Sequence, residues 1–248
     1  MEEPWLQEDE TLEDLQLKGL KLLQKKKGFR FGMDSVLLAD FADIRPKDTV
    51  ADFGTGNGVL PLLLIGREKG ETFFGFDVLP EAVEMAQRTM HMNGLENRVS
   101  LFCEDAAQAE RVLGPSAVNA IICNPPYSRP GTSLRNPGTA KATARHQEPE
   151  LLWHFLKCAY RLLKGKGRMA LVYPAAQLVH LSGLMHQAHL EPKRLRLVHP
   201  FAGQEANLVL IEGVKDARPS LTVLPPLVIY EQPGLLTKEL RCVYHIEE

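Results

Sequence analysis

Alternation of strand-like and helix-like segments from Thr49 onward most constrains the fold of this chain. The run Thr49 to Phe53 is typical of a buried strand, and a glycine-rich turn and the apolar run 59–65 follow it. Further strand–helix pairs continue, and the last two strand-like runs, 194–199 and 207–212, come close together. This pattern predicts an α/β fold: a Rossmann-like, seven-stranded, mostly parallel sheet with an antiparallel last hairpin and helices on both faces.

The turn after the first strand combines an acid with three glycines. It reads Asp52-Phe53-Gly54-Thr55-Gly56-Asn57-Gly58, and glycines let a backbone turn tightly and approach a ligand. A dinucleotide-binding G-x-G-x-x-G pattern starting at Gly54 would need glycine at position 59, which is Val59. The turn therefore argues against a dinucleotide and leaves other nucleoside cofactors open. We expect Asp52 mainly to hold the glycine loop by hydrogen bonds.

Two further acids follow the next two strands. Asp77 ends the strand-like run 72–76, 19 residues after Gly58, where a carboxylate takes both hydroxyls of a ribose. Asp105 follows the run 99–103; it either accepts a hydrogen bond from an adenine amino group or caps the following helix. We expect these acids and their neighbours Val78 and Ala106 to line one ligand site.

The tetrapeptide Asn124-Pro125-Pro126-Tyr127 directly follows the strand-like run 120–123. An Asn side-chain oxygen accepts one N–H of a planar amine. The carbonyl of Pro125 accepts the other, because two prolines fix the backbone and remove competing donors. Tyr127 stacks on a flat substrate. Two acceptors on one amino group draw its lone pair out of conjugation and aim it at an electrophile; the alternative is a simple turn.

Together these motifs resemble a known family. The chain is similar to class I S-adenosylmethionine-dependent methyltransferases of the N-P-P-Y type. The segment from Gly28 to Ala39, with Phe31 and Asp34, resembles the N-terminal signature of the bacterial family that methylates adenine N6 in a valine tRNA, beside the anticodon. Residues 144–147 also resemble that family, although Gln147 stands where Glu is expected. The likeness runs from about Asp14 to about Glu212.

The resemblance implies S-adenosyl-L-methionine as cofactor and tRNA as partner. Phe31 and Asp34 either staple and cap the helix 35–42 or close over the methionine end of the cofactor. The expected catalytic residues are Asn124, Pro125, Pro126 and Tyr127. The expected cofactor-binding residues are Phe31, Asp34, Asp52, Gly54, Thr55, Gly56, Gly58, Asp77, Val78, Asp105, Ala106 and Asn124.

The segment Ser128 to Gln147 is rich in Arg, Pro, Gly and Thr. It is interpreted as a mobile loop beside the site. The loop is either only solvated or a clamp that contacts tRNA phosphates and orders on binding. Its expected nucleic-acid-binding residues are Arg129, Arg135, Lys141 and Arg145.

Other substrates and one other class of function stay open at this point. N-P-P-Y enzymes also methylate the glutamine amide of a peptide-release factor, but those enzymes usually carry a separate N-terminal helical domain. A guanine or adenine amine in rRNA or DNA ranks next. The non-enzymatic alternative is a cofactor-binding module that binds RNA or a partner protein, for which an intact tetrapeptide has no use.

Charge and composition set the remaining expectations. Residues 1–14 hold seven acids and no Lys or Arg, leaving 29 basic against 24 acidic residues elsewhere, a surplus of +5 that is compatible with phosphate contact. The Cys and His spacing suggests no metal site, and no apolar run is long enough for a bilayer span. We therefore expect a cytoplasmic protein without membrane or metal, as a monomer or a homodimer.

Four regions follow from these observations. We expect an acidic disordered tail (1–14), an N-terminal extension covering the cofactor site (15–48), the methyltransferase domain (49–214) and a C-terminal extension (215–248). The runs 221–224 and 227–230 of the C-terminal extension either add an edge strand or pair between chains in an oligomer.

Overall fold

The structure is a computed structural model. It describes residues 5–27, 32–125 and 140–246, with side chains described from Glu150 onward in the last stretch. The strands in this part of the chain are β1 Glu10–Asp14, β2 Lys21–Lys25, β3 Thr49–Phe53, β4 Thr72–Asp77, β5 Val99–Cys103, β6 Val118–Cys123, β7 Leu163–Pro174, β8 Leu190–Phe201, β9 Leu208–Lys215, β10 Thr222–Val223, β11 Leu227–Gln232 and β12 Leu235–Leu236.

Seven α-helices connect or cover these strands in the described ranges. They are α1 Met33–Phe41, α2 Val59–Gly66, α3 Pro80–Met92, α4 Ala109–Leu113, α5 Ala140–Leu162, α6 Leu178–Gln187 and α7 Lys238–Val243. Buried residues of α1, α2 and α7, together with Met90 of α3, belong to the core on one sheet face, and those of α4, α5 and α6 to the core on the other. Neighbouring strand residues alternate between the two cores, as Ile121 and Ile122 do. The molecule therefore has three layers, with helices on both faces of the sheet.

The central sheet confirms the predicted fold class. Its strands follow the order β12-β11-β8-β9-β7-β6-β3-β4-β5, and β10 also pairs with β8. Strands β5, β4, β3, β6 and β7 are mutually parallel, whereas β9 is antiparallel to both β7 and β8. The seven predicted strands are all present, with the expected antiparallel hairpin at the end of the domain.

The strand order reverses between β3 and β6. From β3 the chain continues outward through β4 and β5, then crosses back to place β6 on the other side of β3. In the register of these strands, Phe53 lies opposite both Phe76 and Cys123. Because parallel strands end at the same edge of the sheet, the segments that follow these three residues leave the sheet side by side. Ligands of open α/β sheets bind at such a switch in strand order.

The C-terminal strands extend the sheet within their own chain. Both β10 and β11 pair in parallel with β8, and β12 pairs antiparallel with β11. The first of the two alternatives for this segment, an added edge strand, is observed. The sheet is consequently wider than the seven strands of the domain.

The N-terminal segment is more ordered than its acidity suggests. Strands β1 and β2 form an antiparallel hairpin, so the predicted disorder up to Asp14 is wrong for Glu10–Asp14. The side chain of Glu10 is fully covered and pairs with Arg88 of α3 at 2.8 Å. The pKa of Glu10 falls to about 2, chiefly because Arg88 hydrogen-bonds to its carboxylate. A sequence-distant cation therefore stabilises this strand, which local composition does not reveal.

Helix α5 corrects a second prediction. The segment Ser128 to Gln147 was interpreted as a loop, but α5 begins at Ala140, so residues 140–147 are helical. The residues 126–139 lie outside the described ranges.

Candidate active site

The glycine turn after β3 is built from left-handed backbone conformations. Gly54 has φ +77° and Gly56 has φ +54°, a region that side-chain-bearing residues rarely adopt. A Cβ atom at either position would meet no atom within 4 Å. Glycine is therefore required here by the backbone, and the space beside the turn is open to a ligand.

Asp77 holds this turn against the end of β4. Its Oδ2 accepts a hydrogen bond from the Gly56 N–H at 2.8 Å, and its Oδ1 accepts from the Leu79 N–H at 3.0 Å. The N–H groups of Gly54 and Thr55 both donate to the Phe76 carbonyl at 2.9 Å. Each carboxylate oxygen of Asp77 keeps lone pairs for a further donor. The neighbouring Val78 is 62% exposed and offers an apolar surface next to it.

The side chain of Asp52 is buried, and neither carboxylate oxygen has a hydrogen-bond partner among the described residues. Burial raises the pKa of Asp52 to about 7; the nearby Thr55 hydroxyl lowers it and the charge of Asp77 raises it further. The role of Asp52 in holding the glycine loop stays a prediction, since the Thr55 hydroxyl of that loop is close enough to lower the pKa of its carboxyl, whereas the hydrogen bond from the Gly56 N–H goes to Asp77. A buried carboxylate without partners leaves its hydrogen-bonding capacity for a ligand or water.

Asp105 caps a short turn beside the same edge. Its Oδ1 accepts a hydrogen bond from the Ala107 N–H at 2.9 Å, at the start of the 3-10 turn Ala106–Gln108. The capping alternative is therefore observed, and the second carboxylate oxygen still has lone pairs for a ligand. Ala106 is buried. Since Cys103 of β5 pairs with Asp77 of β4, Asp105 follows a strand adjacent to the one that ends in Asp77.

Asn124 leaves β6 next to the glycine turn. Because Phe53 and Cys123 are paired, Gly54 and Asn124 are the first residues beyond two adjacent parallel strands. The Asn124 Nδ2 donates a hydrogen bond to the Ser35 Oγ at 3.2 Å. Pro125 is buried. Pro126 and Tyr127 lie outside the described residues.

Helix α1 begins earlier than expected. It starts at Met33 with Gly32 as its N-cap, and no side chain caps it. The prediction that Asp34 is the capping residue is wrong; Asp34 lies within the first turn and is buried. An acid in the first turn complements the helix dipole. Phe31 lies outside the described residues.

Ser35 and Asn57 make hydrogen bonds that the sequence did not indicate. Asn57, between Gly56 and Gly58, donates through Nδ2 to the Leu23 carbonyl of β2 at 2.9 Å. The N-terminal hairpin therefore contacts the glycine turn directly. In the sequence, each of the two is simply a polar residue, Ser35 in the N-terminal signature and Asn57 in the glycine turn. Polar residues are common in helices and turns, so neither hydrogen bond could be inferred.

For the residues expected to contact RNA, the structure describes no side chain. Arg129 and Arg135 lie outside the described residues; Lys141 and Arg145 belong to α5, but their side chains lie outside what is described. Elsewhere in the described ranges, no group of three or more His, Cys, Asp or Glu side chains is arranged to hold a metal ion. No helix in the described part of the chain combines the length and apolarity that crossing a membrane requires.

Solved structures share this fold. A predicted O-methyltransferase from Agrobacterium tumefaciens superimposes with a TM-score of 0.68 at 21% identity, covering 86% of this chain and 96% of that one. TYW2 from M. jannaschii in complex with AdoMet superimposes with a TM-score of 0.56 at 12% identity, covering 84% and 87%. At these identities the likeness concerns the fold alone.

Curated relatives are similar over most of their length. A protein named tRNA1(Val) (adenine(37)-N6)-methyltransferase from Aeromonas salmonicida is 31% identical over 183 residues, which are 73% of this chain and 75% of that protein. One of the same name from Vibrio campbellii is 27% identical over 210 residues, 83% and 86% of the two chains. The model of the methyltransferase small domain matches residues 30–189. With the glycine turn and Asn124 at the switch in strand order, this chain belongs to the methyltransferase small domain family.

Proposed function

We propose that this protein transfers a methyl group from S-adenosylmethionine to the N6 amino group of an adenine in tRNA, the adenine next to the anticodon of a valine tRNA. One observation carries the proposal: Asn124 and the glycine turn at Gly54 leave adjacent parallel strands side by side. A group that binds an amine thus adjoins a turn suited to a nucleoside cofactor.

Several features of this turn fit S-adenosylmethionine. The space beside Gly54 and Gly56 is open, Asp77 keeps acceptor capacity for ribose hydroxyls, and the second oxygen of Asp105 is suited to an adenine amino group. Asp52 offers an unpartnered buried carboxylate, which favours a nearby positive charge. Phe31 and Asp34 are proposed to enclose the methionine end, with Thr55, Gly58, Val78 and Ala106 completing the pocket.

The chemistry at Asn124 is polarisation and positioning. When bound, S-adenosylmethionine supplies an electrophilic methyl group. The Asn124 Oδ1 and the Pro125 carbonyl accept the two N–H groups of the amine, which directs its lone pair out of the ring plane. The methylated amine then loses its extra proton to water, so the proposal requires no general base. Tyr127 is the proposed platform for an adenine that has been turned out of its stack.

The choice of tRNA rests on similarity and charge. The names of the relatives given above specify adenine 37 of a valine tRNA. The net positive charge of +5 beyond the first fourteen residues suits a polyanion. The proposed phosphate contacts are Arg129, Arg135, Lys141 and Arg145.

The test is methylation of unmodified total tRNA with labelled S-adenosylmethionine, followed by digestion to nucleosides. We expect labelled N6-methyladenosine, and Asn124→Ala should lower kcat by roughly 10²–10³, as expected for loss of one oriented polar partner. Asn119, at the opposite end of β6, accepts from the Thr49 N–H and provides the control Asn119→Ala, which should keep its kcat.

Each other outcome contradicts a distinct part of the proposal. Label on a release factor instead of tRNA would overturn the substrate but keep the chemistry. Full activity in Asn124→Ala would overturn the mechanism. Absence of transfer to any acceptor, together with cofactor binding in calorimetry, would indicate a non-enzymatic binding module. Asp77→Ala should weaken that binding without abolishing the fold.

A further inference from the structure

The hydrogen bond between Asn124 and Ser35 joins two parts of the chain that are 89 residues apart. Ser35 lies in the first turn of α1 and is only 2% exposed. The Asn124 Nδ2 donates to its Oγ at 3.2 Å. A buried serine hydroxyl on a neighbouring helix therefore meets the amide that the proposed reaction uses.

In this structure the Nδ2 end of the Asn124 side chain faces Ser35. An amide carries an acceptor oxygen and a donor NH2 group, and the proposed reaction needs the oxygen to face the amine. A serine hydroxyl can donate as well as accept, but here it accepts from Nδ2, which leaves Oδ1 as the end for the substrate amine. Without that partner, the side-chain torsion that exchanges the two ends is broad and roughly two-fold.

Ser35 is itself held by a fixed helix. The Lys69 ammonium donates to three carbonyls at the end of α1, those of Ala39, Asp40 and Ala42, at 2.9, 2.6 and 2.9 Å. The Ala42 carbonyl also accepts from the Ile44 N–H, so the cation chiefly satisfies the last carbonyls of α1, and it complements the helix dipole. Residues 35–39 of α1 are all buried against the core. The hydroxyl of Ser35 consequently has little freedom to move with the amide.

We propose that Ser35 is a positioning residue, which orients the Asn124 amide so that its oxygen faces the substrate amine. This inference rests on the proposed function. Because the amine gains positive charge as its nitrogen is methylated, an oriented acceptor matters more in the transition state than in the bound substrate. The effect should therefore appear in kcat and leave the affinity for S-adenosylmethionine unchanged.

Ser35→Ala tests the inference with little risk to folding. Alanine fits the space and is the better helix former. We expect kcat to fall roughly three- to tenfold, the range of one neutral hydrogen bond. The cofactor Kd from calorimetry and the melting temperature should stay close to those of the parent protein. Thr237→Ala is the control: it removes a hydroxyl that accepts from the Leu240 N–H and caps α7, so it should lower the melting temperature but keep kcat.

A double-mutant cycle with Asn124→Ala separates positioning from a merely structural role. In single-turnover assays, Ser35→Ala should have no further effect in the Asn124→Ala background. An unchanged kcat in Ser35→Ala, or the same fold-loss in both backgrounds, would overturn the role of Ser35 while leaving the proposed function intact. If Asn124→Ala alone keeps full activity, the proposed mechanism fails, and the role of Ser35 fails with it.

Discussion

Replacing Asp52 with Asn is expected to stabilise the cofactor-free protein at alkaline pH. Both Asp52 oxygens are buried without a hydrogen-bond partner in the described structure. Burial is the main cause that raises its pKa from 3.8 to about 7. The folded protein thus favours the protonated form of this side chain, whereas the unfolded chain ionises it freely.

The sign and size of the effect follow from these two pKa values. The favourable contribution of protonated Asp52 is complete below pH 3.8 and is lost as the pH rises through about 7. The whole interval corresponds to about 4 kcal/mol, of which about 2–3 kcal/mol lies between pH 5 and pH 8. Asp52→Asn stays neutral throughout, so its free energy of unfolding should lack this loss.

Urea denaturation of both proteins across this pH range measures the difference. As a control, Thr237→Ala removes a hydroxyl that caps α7 but no ionisable group and should leave the slope with pH unchanged. Parallel curves for the parent protein and Asp52→Asn would refute the argument.

Ionisation of Asp52 should also tighten binding of the positively charged cofactor from pH 6 to pH 8. The gain is up to roughly tenfold, because Asp52 is ionised in only about a tenth of the molecules at pH 6. Asp52→Asn should lose this dependence.

Three other contacts give direct predictions. Asn57→Ala removes the hydrogen bond to the Leu23 carbonyl and should raise the cofactor Kd by roughly three- to tenfold in calorimetry; an unchanged Kd would exclude a role of the hairpin. Arg88→Ala leaves Glu10 without its main partner and should cost about 1–3 kcal/mol at neutral pH. This stability is present above pH 4.5 and is lost as the pH falls through about 2, so urea curves of variant and parent should converge in acid. Lys69→Met keeps the apolar stem but removes the donor to the Ala39 and Asp40 carbonyls of α1 and to the Ala42 carbonyl just after it, which keeps the Ile44 N–H. The free energy of unfolding should fall by about 1–3 kcal/mol, and equal stability would contradict this.

The sheet was predictable because its signals are local. The run Thr49 to Phe53 became β3 with the same bounds, and the run Val99 to Cys103 became β5. In each case β-branched or aromatic residues form a short apolar segment that ends at polar or glycine residues. The mostly parallel arrangement then followed from the repeated strand–helix units, whereas the order of the strands comes from the structure.

The N-terminal hairpin was not predictable for the opposite reason. Its strands are stabilised by partners far along the chain, such as Arg88 for Glu10, 78 residues away. Isolated two-stranded hairpins are marginal in water, so composition alone favoured disorder up to Asp14. Tertiary contact with α3 decided the outcome.

At the candidate site, residue types were easier to anticipate than hydrogen-bond partners. The turn that follows β3 was expected from its glycines, but the sequence did not indicate that Asp77 accepts the hydrogen bond from the Gly56 N–H. Likewise Asp34 was expected to cap a helix from Ser35, but α1 begins two residues earlier, at Met33. A one-dimensional pattern places an acid near a loop, whereas its hydrogen bonds depend on the register between strands.

The pairing of β10 and β11 with β8 determines how much of the edge of β8 stays exposed. A bare edge strand is a template for another chain, and natural sheets protect such edges with pairing, lysine or proline. The two C-terminal strands pair with residues from Arg194 to Phe201 of β8. The stretch of β8 before them contains Pro192, which has no N–H to offer, and Lys193. The C-terminal extension thus covers the backbone edge of β8 that would otherwise be open to another strand.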